Sequence, residues 1–99
     1  MGVRSRSPLP TGTQYGLAVS TSVVTLTVPN AAMCAEIYVR SNSVVFTRSN
    51  TSPTSTLGLQ ANAGDIILLN SRAELELFKI IRASADATLD VEYFTDISG

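Results

Sequence analysis

Apolar and polar residues alternate along much of this chain, with the period of two that is typical of strands half-buried in a sheet. In Leu17–Val28, valine and leucine alternate with threonine near the end of the segment, so that one face is apolar and the other carries hydroxyl groups. Met33–Arg40 and Thr88–Thr95 repeat the alternation, with charged residues on the polar face. These patterns predict strands that pack one face on a core.

Clusters of Gly, Pro, Asn and Ser separate the apolar segments and mark turns between strands. Ser41–Ser43 is a short turn, which predicts a hairpin between the strands on either side of it. Ser49–Thr56 is a polar loop, long enough to project from the domain or to clasp a partner. The predicted strands are Leu17–Val28, Met33–Arg40, Val44–Arg48, Leu57–Leu59, Ile66–Leu69, Leu75–Ile81 and Thr88–Thr95.

Two segments depart from simple alternation. Ile66–Leu69 is a continuous apolar run, which predicts a strand covered on both faces. Ser71 and Glu74 have the spacing of a helix-capping box, so one helical turn is expected there. No long helix is expected to follow, because Leu75–Ile81 returns to alternation. A hairpin is predicted over Leu77–Tyr93.

The number and spacing of these elements predict an all-β fold. About seven or eight short strands, with turns about every eight to twelve residues, are typical of an antiparallel β-sandwich of the jelly-roll or immunoglobulin-like kind, or of a small barrel. The predicted core consists of apolar positions on the inward faces of these strands. They are Leu26, Val28, Ile37, Val39, Phe46, Ile66, Leu68, Phe78, Ile80, Leu89, Val91 and Tyr93.

Residues 1–16 differ from the rest of the chain. Their prolines remove backbone donors and hold the chain extended, and they stand among Ser, Thr and Gly. We therefore expect an extended N-terminal arm over 1–16 and a β-sandwich domain over 17–99. The arm is either a solvated tail or a segment that docks on a neighbouring subunit. In the second case Arg4 and Arg6 would pair with carboxylates of the partner.

Composition narrows the class of partner. The chain has 99 residues, of which 44% are hydrophobic and 15% charged, and its net charge is −1. Such low charge indicates either a surface packed against copies and partners or a small β domain rich in Ser and Thr. No basic field is present to attract nucleic acid, and no apolar run approaches the ~20 residues of a membrane span. The N-terminus lacks the apolar segment of a signal peptide, so a cytosol-like compartment is expected.

The chain offers few residue types for catalysis or metal binding. It has no histidine and no glycine-rich phosphate loop, and Cys34 is its single cysteine. The absence of histidine excludes His-dependent nucleophile pairs and most zinc sites, and a single cysteine excludes a disulfide within the chain. Cys34 is therefore expected to be a small buried hydrophobe. No enzymatic activity, cofactor, metal site or small-molecule substrate is predicted.

The carboxylates are the remaining candidates for catalytic or metal-binding residues. Two pairs are spaced so that each would share one face of a strand: Glu74 with Glu76, and Asp90 with Glu92. Such pairs can act as acid and base or form part of a calcium site. Ordinary cross-strand pairing with basic residues of the predicted Leu77–Tyr93 hairpin is the favoured interpretation.

Small β-sandwiches can also bind sugars through aromatic platforms. The chain has no tryptophan, and only three Tyr and three Phe. Tyr15, Tyr38 and Phe94 are the aromatic residues expected at the surface, and they are far apart in the sequence. Nothing in the sequence marks a sugar site.

The motifs follow one another in a particular order: a strand hairpin, a loop with Pro-Thr and Gly, an Ala-Gly-Asp turn, and a strand ending in Tyr-Phe. They lie at Ala35–Arg48, Pro53–Gly58, Ala63–Asp65 and Ala87–Phe94. Over residues 24–95 this order resembles a group of small structural proteins of tailed-bacteriophage virions, of the decoration or cement type. The N-terminal arm carries no motif of that group.

The resemblance implies a non-enzymatic role in a virion that assembles in the cytoplasm of the bacterial host. The implied partners are the major capsid protein or connector subunits, with further copies of the chain in a homo-oligomer. Alternatives are a component of the head–tail junction, and a carbohydrate- or receptor-binding module of a tail fibre or spike. The arm and the polar loop are the predicted contact surfaces, and the predicted interface residues are Arg4, Arg6, Pro8, Pro10, Tyr15, Asn50, Thr51 and Pro53.

Overall fold

The computed structural model describes the backbone of residues 6–98 and the side chains of residues 9–95. Within these residues the strands form two antiparallel sheets, one of four strands in the order β1-β7-β2-β5 and one of three in the order β4-β3-β6. The predicted all-β class and antiparallel sandwich are therefore confirmed. The elements are β1 (Arg6–Val19), β2 (Cys34–Ser41), β3 (Val44–Thr47), β4 (Leu59–Ala61), β5 (Ile66–Leu69), α1 (Arg72–Leu77), β6 (Lys79–Arg82) and β7 (Ala87–Ser98).

The core lies between the two sheets and is formed by the inward-facing residues of both. Removal of these apolar side chains from water is the main favourable contribution to folding. Leu26 and Val28 pack against the core and are half-buried, so they belong to its margin. The other predicted core residues that are buried are Ile37, Val39, Phe46, Phe78, Ile80, Leu89, Val91 and Tyr93.

β5 corrects the predicted core. Ile67 and Leu69 are buried, whereas Ile66 and Leu68 are 53% and 51% exposed. The strand is present where it was predicted, but the expectation that both faces are covered is wrong. β5 is an edge strand, and its alternate residues lie on an outer sheet face that meets solvent. An unbroken apolar run contains no polar residue that would mark this outward face.

The predicted strand Leu17–Val28 is divided in the structure. Its first residues belong to β1, and residues 20–28 form an extended segment that bridges to β6 between Val24 and Ile80. The two backbone hydrogen bonds of this bridge have N–O distances of 2.8 and 3.0 Å. Val24, Leu26 and Val28 pack on the core while the threonines of the segment are exposed, which explains the alternation. The segment thus closes the side of the sandwich between β1 and β6.

Residues 6–16 are extended, as expected, but they are not separate from the sandwich. They form most of β1, which pairs antiparallel with β7 along its length. The predicted boundary between residues 16 and 17 therefore falls inside one strand. The prolines are compatible with this pairing because an edge strand donates hydrogen bonds on one side only. β2 reaches β7 only as far as Phe94, so beyond that point β1 and β7 continue as a two-stranded ribbon.

The polar loop predicted over Ser49–Thr56 is present, but it does not project. Pro53 is fully buried, and the Thr47 hydroxyl donates a hydrogen bond to the Thr51 carbonyl. These contacts hold the loop over the outer face of the three-stranded sheet. All residues of β3 are consequently buried, by the core on one face and by the loop on the other.

The capping box predicted at the start of α1 is confirmed. Ser71 Oγ accepts a hydrogen bond from the Glu74 N–H at 3.2 Å. The Glu74 carboxylate in turn accepts from the N–H of Asn70 at 2.6 Å. The first bond satisfies a backbone donor that a helix start leaves unpaired, and the second ties the helix to the residue before its cap. The helix ends at Leu77, so the expectation of one short helical segment holds.

The segment after α1 corrects two predictions. The strand expected over Leu75–Ile81 is helical in its first part, and β6 takes only the remainder. β6 pairs with β3, whereas β7 lies between β1 and β2, so the hairpin predicted over Leu77–Tyr93 does not form. The chain crosses from one sheet to the other instead. The hairpin predicted about Ser41–Ser43 does not form either, because β2 and β3 belong to different sheets. Alternation shows which face of a strand is buried. It does not show to which sheet the strand belongs, because both sheets bury a face in the same core.

Candidate interaction surface

The two sides of the sandwich differ in how their strand edges are covered. On one side, residues 20–28 run between β1 and β6, and the bridge from Val24 covers β6. β1 contains Pro8 and Pro10, and its register with β7 shifts at two places, which interrupts that edge. On the other side, β4 and β5 are both edge strands without a second neighbour among the described residues. We call this the open side.

The open side exposes apolar side chains that are each about half accessible to solvent. β4 is three residues long, but β5 has four residues and contains no charge and no proline. Natural edge strands usually contain charged residues, prolines or bulges, and these features prevent pairing with other chains. Among the described strands, β5 is therefore the edge with the least protection. The exposed apolar residues of these two strands are Leu59, Ile66 and Leu68, with exposed fractions of 50% to 53%.

A bulge at the start of β5 sets its hydrogen-bond pattern. The Gly64 N–H donates to the Val39 carbonyl at 2.8 Å, and the Val39 N–H donates to the Asp65 carbonyl at 3.0 Å. Two residues of the turn therefore oppose one residue of β2, with the glycine at a φ of 94°, where the lack of a Cβ removes the steric penalty.

From this bulge onward the ladder between β2 and β5 alternates. In an antiparallel pair, hydrogen-bonded positions alternate with positions whose backbone groups point to the opposite side. Ile67 and Leu69 therefore bond to β2, in register with Ile37 and Ala35. The N–H and C=O groups of Ile66 and Leu68 point to the open edge. The exposed side chains and the outward backbone groups thus belong to the same residues.

A groove of about 460 Å³ runs beside the β5 edge, between the margins of the two sheets. Phe46 of β3, Ala61 of β4 and Ile67 of β5 contribute apolar side chains to its lining. Arg48 and Asp65 line the same groove and are exposed. The lining of the groove is therefore mixed: apolar side chains stand beside the polar Gln60 and Asn70 and one charge of each sign.

The outer face of the four-stranded sheet combines tyrosines with carboxylates. Glu36 of β2 and Glu92 of β7 are direct cross-strand neighbours, an arrangement in which like charges repel. The Tyr38 hydroxyl donates to Glu36 Oε1 at 2.9 Å, and the Tyr15 hydroxyl donates to Glu92 Oε2 at 2.7 Å. These hydrogen bonds raise the pKa of both tyrosines, since each carboxylate stabilises the protonated phenol.

Asp90 occupies the same outer face, next to the tyrosines. Its Oδ1 accepts a hydrogen bond from the Gly16 N–H at 2.9 Å, and its Oδ2 lies 3.4 Å from Arg40 Nε. Asp90 and Glu92 therefore share a face, as predicted, but their partners come from β1 and β2. The basic partners predicted from the hairpin, Lys79 and Arg82, lie in the other sheet.

The second predicted carboxylate pair does not share a face. Glu74 and Glu76 lie on α1, where residues two apart point in different directions because each residue turns the helix by about 100°. Glu76 pairs with Arg72 at 2.9 Å on the helix surface, and Glu74 caps the helix start. Both carboxylates therefore have structural partners.

The predicted interface residues of the N-terminal segment that the structure describes lie on one edge strand, β1. Arg4 lies outside the described residues. Arg6 and Pro8 belong to β1, where only the backbone is described. Pro10 and Tyr15 are exposed on the same strand. The residues of this group that belong to β1 are distant in strand order from the open side, since β1 and β5 are opposite edges of their sheet.

The predicted interface residues of the loop lie over the three-stranded sheet. Asn50 and Thr51 are exposed, with the Asn50 N–H donating to the Leu77 carbonyl at 3.2 Å. The Asn50 carbonyl accepts from Lys79 Nζ at 3.2 Å, which anchors the loop further. The prediction that the Pro53 side chain contributes to an interface is wrong, because this side chain is buried and a partner could not touch it. Asn50 and Thr51 remain exposed, and their role at an interface stays a prediction.

The pattern of residues along the chain did not predict the open side. The signal that was present is the run Ile66–Leu69, which lacks any charge and is followed by a helix that starts at Arg72. Such a run is compatible with a buried strand or with an unprotected edge, and only the sheet order distinguishes the two. Cys34, predicted to be buried, is half-buried, with Sγ 3.9 Å from the Phe94 carbonyl oxygen.

No family model matches this chain, and no curated protein or solved structure matches it either. Within residues 6–98, no helix has both the length and the apolar character needed to cross a membrane. In the same part of the chain, no group of three or more His, Cys, Asp or Glu residues is placed to hold a metal ion. The surface features described above therefore carry the functional argument.

Proposed function

We propose that the chain is a non-enzymatic structural protein of a tailed-bacteriophage virion. In this role it decorates or cements the capsid by associating with its own copies and by docking on neighbouring shell subunits. The observation that carries the proposal is the open side, where two edge strands present apolar side chains to solvent together. The order of turn and strand motifs, which resembles that of small virion proteins, supports the same role.

The open side has the properties that strand-mediated assembly needs. An unpaired strand edge offers backbone hydrogen bonds to a strand of a neighbour, and exposed apolar side chains beside it add affinity. A protein that binds the assembled shell more tightly than free subunits stabilises the shell by mass action. This role depends on shape and on exposed backbone, and it requires no reactive side chain.

The location of the protein tests the proposal directly. Virions of a phage whose genome encodes this sequence are purified on a density gradient. They are then probed with an antibody raised against the recombinant chain. We expect the protein to co-sediment with particles, and immunogold labelling to place it on capsids. Labelling confined to the head–tail junction or to tails would support the corresponding alternative. A protein found only in particle-free fractions would contradict a virion role.

A second candidate is the carbohydrate-binding module of a tail fibre or spike. The observation that favours it is the placement of Tyr15 and Tyr38, distant in sequence, on one sheet face beside three carboxylates. Aromatic faces and carboxylate acceptors are complementary to the apolar and hydroxyl-bearing faces of a sugar ring. A glycan array probed with the wild-type chain and with Tyr38→Ala tests this candidate. Binding that is lost in the variant supports it, and an array without signal contradicts it.

A further inference from the structure

We propose that two copies of this chain associate through their β5 strands, which pair antiparallel about a two-fold axis close to Ile67. The four-stranded sheets of the two copies would then form one continuous sheet. This inference deepens the self-association that the proposed function contains, and it assigns that association to one strand. The backbone, the apolar side chains and the flanking charges of the β5 edge each favour this pairing.

The outward backbone N–H and C=O groups of two β5 strands are complementary in this arrangement. The outward N–H and C=O groups belong to Ile66 and Leu68, as the bulge opposite Val39 requires. A two-fold axis at Ile67 places Ile66 of one copy opposite Leu68 of the second copy. Each such pair exchanges two backbone hydrogen bonds, so all outward groups of both strands are satisfied.

The apolar side chains of two β5 strands are also complementary. In this register Ile66 and Leu68 of the two copies meet on the outer sheet face, directly opposite one another. Tyr38 pairs with Ile66 in the described ladder, so its ring flanks the apolar contact on each side. Side chains that are half-exposed in the single chain are thereby shielded from water. No charged residue of β5 is buried, because the strand contains none.

The charges beside the strand are complementary under the same axis. Val44 pairs with Ala61, so the start of β3 lies next to the turn that contains Asp65. Arg48 comes four residues after Val44, roughly 13 Å along the strand direction. The acidic and the basic residue therefore lie towards opposite ends of the groove. A two-fold axis inverts one copy, which brings Arg48 of each copy to the end where Asp65 of the other copy lies.

Neither residue has an ion-pair partner within the described chain. The ion pairs among the described side chains involve Arg40, Arg72 and Arg82, with carboxylates other than Asp65. The Asp65 carboxylate accepts one hydrogen bond, from the Asn62 N–H at 2.8 Å. Opposite charges at opposite ends favour an inverted copy over a parallel one, which would place like charges together.

The first experiment measures self-association of the full chain by sedimentation equilibrium over a range of concentrations. We expect the wild-type chain to form a dimer, and Leu68→Lys to raise its dissociation constant at least about tenfold, since a lysine at the seam opposes strand pairing. Leu9→Lys is the matched control: Leu9 is 49% exposed on β1, at the opposite edge of the same sheet. It should change the dissociation constant less than about twofold. A monomeric wild-type chain, or equal behaviour of the two variants, would overturn the proposal.

A charge exchange provides the second experiment and does not depend on the apolar contact. Arg48→Asp and Asp65→Arg should each weaken the dimer, because each places like charges together across the axis. The double variant should recover most of the wild-type dissociation constant, since both new pairs are again opposite in sign. Additive weakening in the double variant would overturn the proposed two-fold arrangement. Far-ultraviolet circular dichroism at each step confirms that the sheets are retained.

Particle binding is measured separately, by adding the Leu68→Lys chain to virions that lack the wild-type chain. A monomer that still decorates the particles supports the virion role and assigns β5 to association between copies. A wild-type dimer that never binds particles supports the β5 pairing and contradicts the virion role. If Leu68→Lys remains dimeric in solution but no longer binds particles, the occupant of β5 is a shell strand, and the pairing between copies is wrong.

Discussion

At the scale of single residues, Gly58 holds the loop over the three-stranded sheet. Its φ is 132°, and a Cβ at this position would lie 2.7 Å from Val45 Cγ1 and 2.9 Å from the Phe46 carbonyl oxygen. Real Cβ atoms do not approach other atoms so closely, and one of these neighbours is backbone. The position therefore requires glycine for two reasons, its conformation and the space available to it.

We expect Gly58→Ala to lower the free energy of unfolding by about 3 kcal/mol, because conformational strain and overpacking add. Urea denaturation measures this loss. Gly16→Ala is the control, since Gly16 has a φ of 71° but no atom within 4 Å of the place that an alanine Cβ would occupy. It should cost only about 1 kcal/mol, from conformation alone. Equal losses at the two positions would contradict the close approach of Gly58 to Val45.

Tyr93 illustrates a second residue-scale effect, the burial of a titratable group. Its side chain is fully buried, and its hydroxyl donates to Gln14 Oε1 at 2.5 Å. The same amide oxygen accepts from the Thr27 N–H at 3.1 Å, so β7, β1 and the 20–28 segment meet at one point. Burial raises the pKa of Tyr93 to about 12, because the phenolate loses its hydration in the core.

This pKa predicts how stability changes at alkaline pH. In the unfolded chain Tyr93 loses its proton near its ordinary pKa of 10.0, whereas in the folded chain it keeps the proton to about pH 12. The unfolded state therefore binds fewer protons in this window, and the free energy of unfolding falls as pH rises from 10 towards 12. Tyr93→Phe should remove this part of the slope at a cost of about 1 kcal/mol at neutral pH. An unchanged slope in the variant would show that other groups cause it.

At the scale of elements, Arg72 connects α1 to the turn that follows the 20–28 segment. Its Nη1 donates to the carbonyls of Pro29 at 2.7 Å, Asn30 at 3.3 Å and Ala32 at 2.9 Å. A single guanidinium group thus satisfies acceptors of a turn that no strand pairs with. The contact ties the helix, which links the two sheets, to the segment that closes one side of the sandwich.

We expect Arg72→Met to lower the free energy of unfolding by about 2–3 kcal/mol, because partly buried carbonyls lose a charged donor. Arg82→Met is the control, since Arg82 makes an exposed ion pair with Asp86 at 2.6 Å. It should cost less than about 1 kcal/mol. Thermal denaturation of both variants measures the difference, and similar losses would contradict the role of Arg72 as an anchor of the turn.

The pairing of β1 with β7 changes what deletion of the N-terminal segment should do. A detachable arm could be removed without loss of the fold, but residues 6–16 form most of an edge strand. Deleting residues 1–16 would remove the hydrogen bonds to one edge of β7 and expose the core beside Tyr93. We expect this deletion to unfold or aggregate the chain, whereas deletion of residues 1–5 should leave the circular dichroism spectrum unchanged. A folded, monomeric 17–99 fragment would contradict this expectation.

At the scale of the whole molecule, covered and bare surfaces are distributed asymmetrically. The loop with Pro53 covers the outer face of the three-stranded sheet, and residues 20–28 close one side of the sandwich. The outer face of the four-stranded sheet and the open side remain accessible, and they meet at β5. Surfaces available for assembly are therefore concentrated around one strand.

Amide hydrogen exchange tests this asymmetry residue by residue. At low protein concentration, where copies dissociate, the amides of Ile66 and Leu68 should exchange about a hundredfold faster than those of Ile67 and Leu69, because only the latter bond to β2. At high concentration, pairing of β5 strands should slow exchange at Ile66 and Leu68 selectively. Equal protection of all four amides at low concentration would contradict the described ladder.

The alternation of apolar and polar residues was sufficient to predict an all-β sandwich and most of its core, and the spacing of Ser71 and Glu74 predicted the cap of its helix. These features depend on local geometry: side chains alternate along a strand, and a hydroxyl at the cap position reaches the third amide of the helix. Val24, Leu26 and Val28 show the limit of this information. Their alternation reports that one face packs on the core, and it does not report whether the backbone pairs with another strand.

Tertiary structure alone decided which strands are neighbours, and therefore which surfaces remain open. The apolar run Ile66–Leu69 has the same sequence whether it lies in the middle of a sheet or at its edge. Likewise, residues 6–16 have the composition of a detached arm but pair with a strand at the other end of the chain. Strand pairing joins residues that are distant in sequence, so its outcome depends on how all strands compete for the same partners, which no local pattern records.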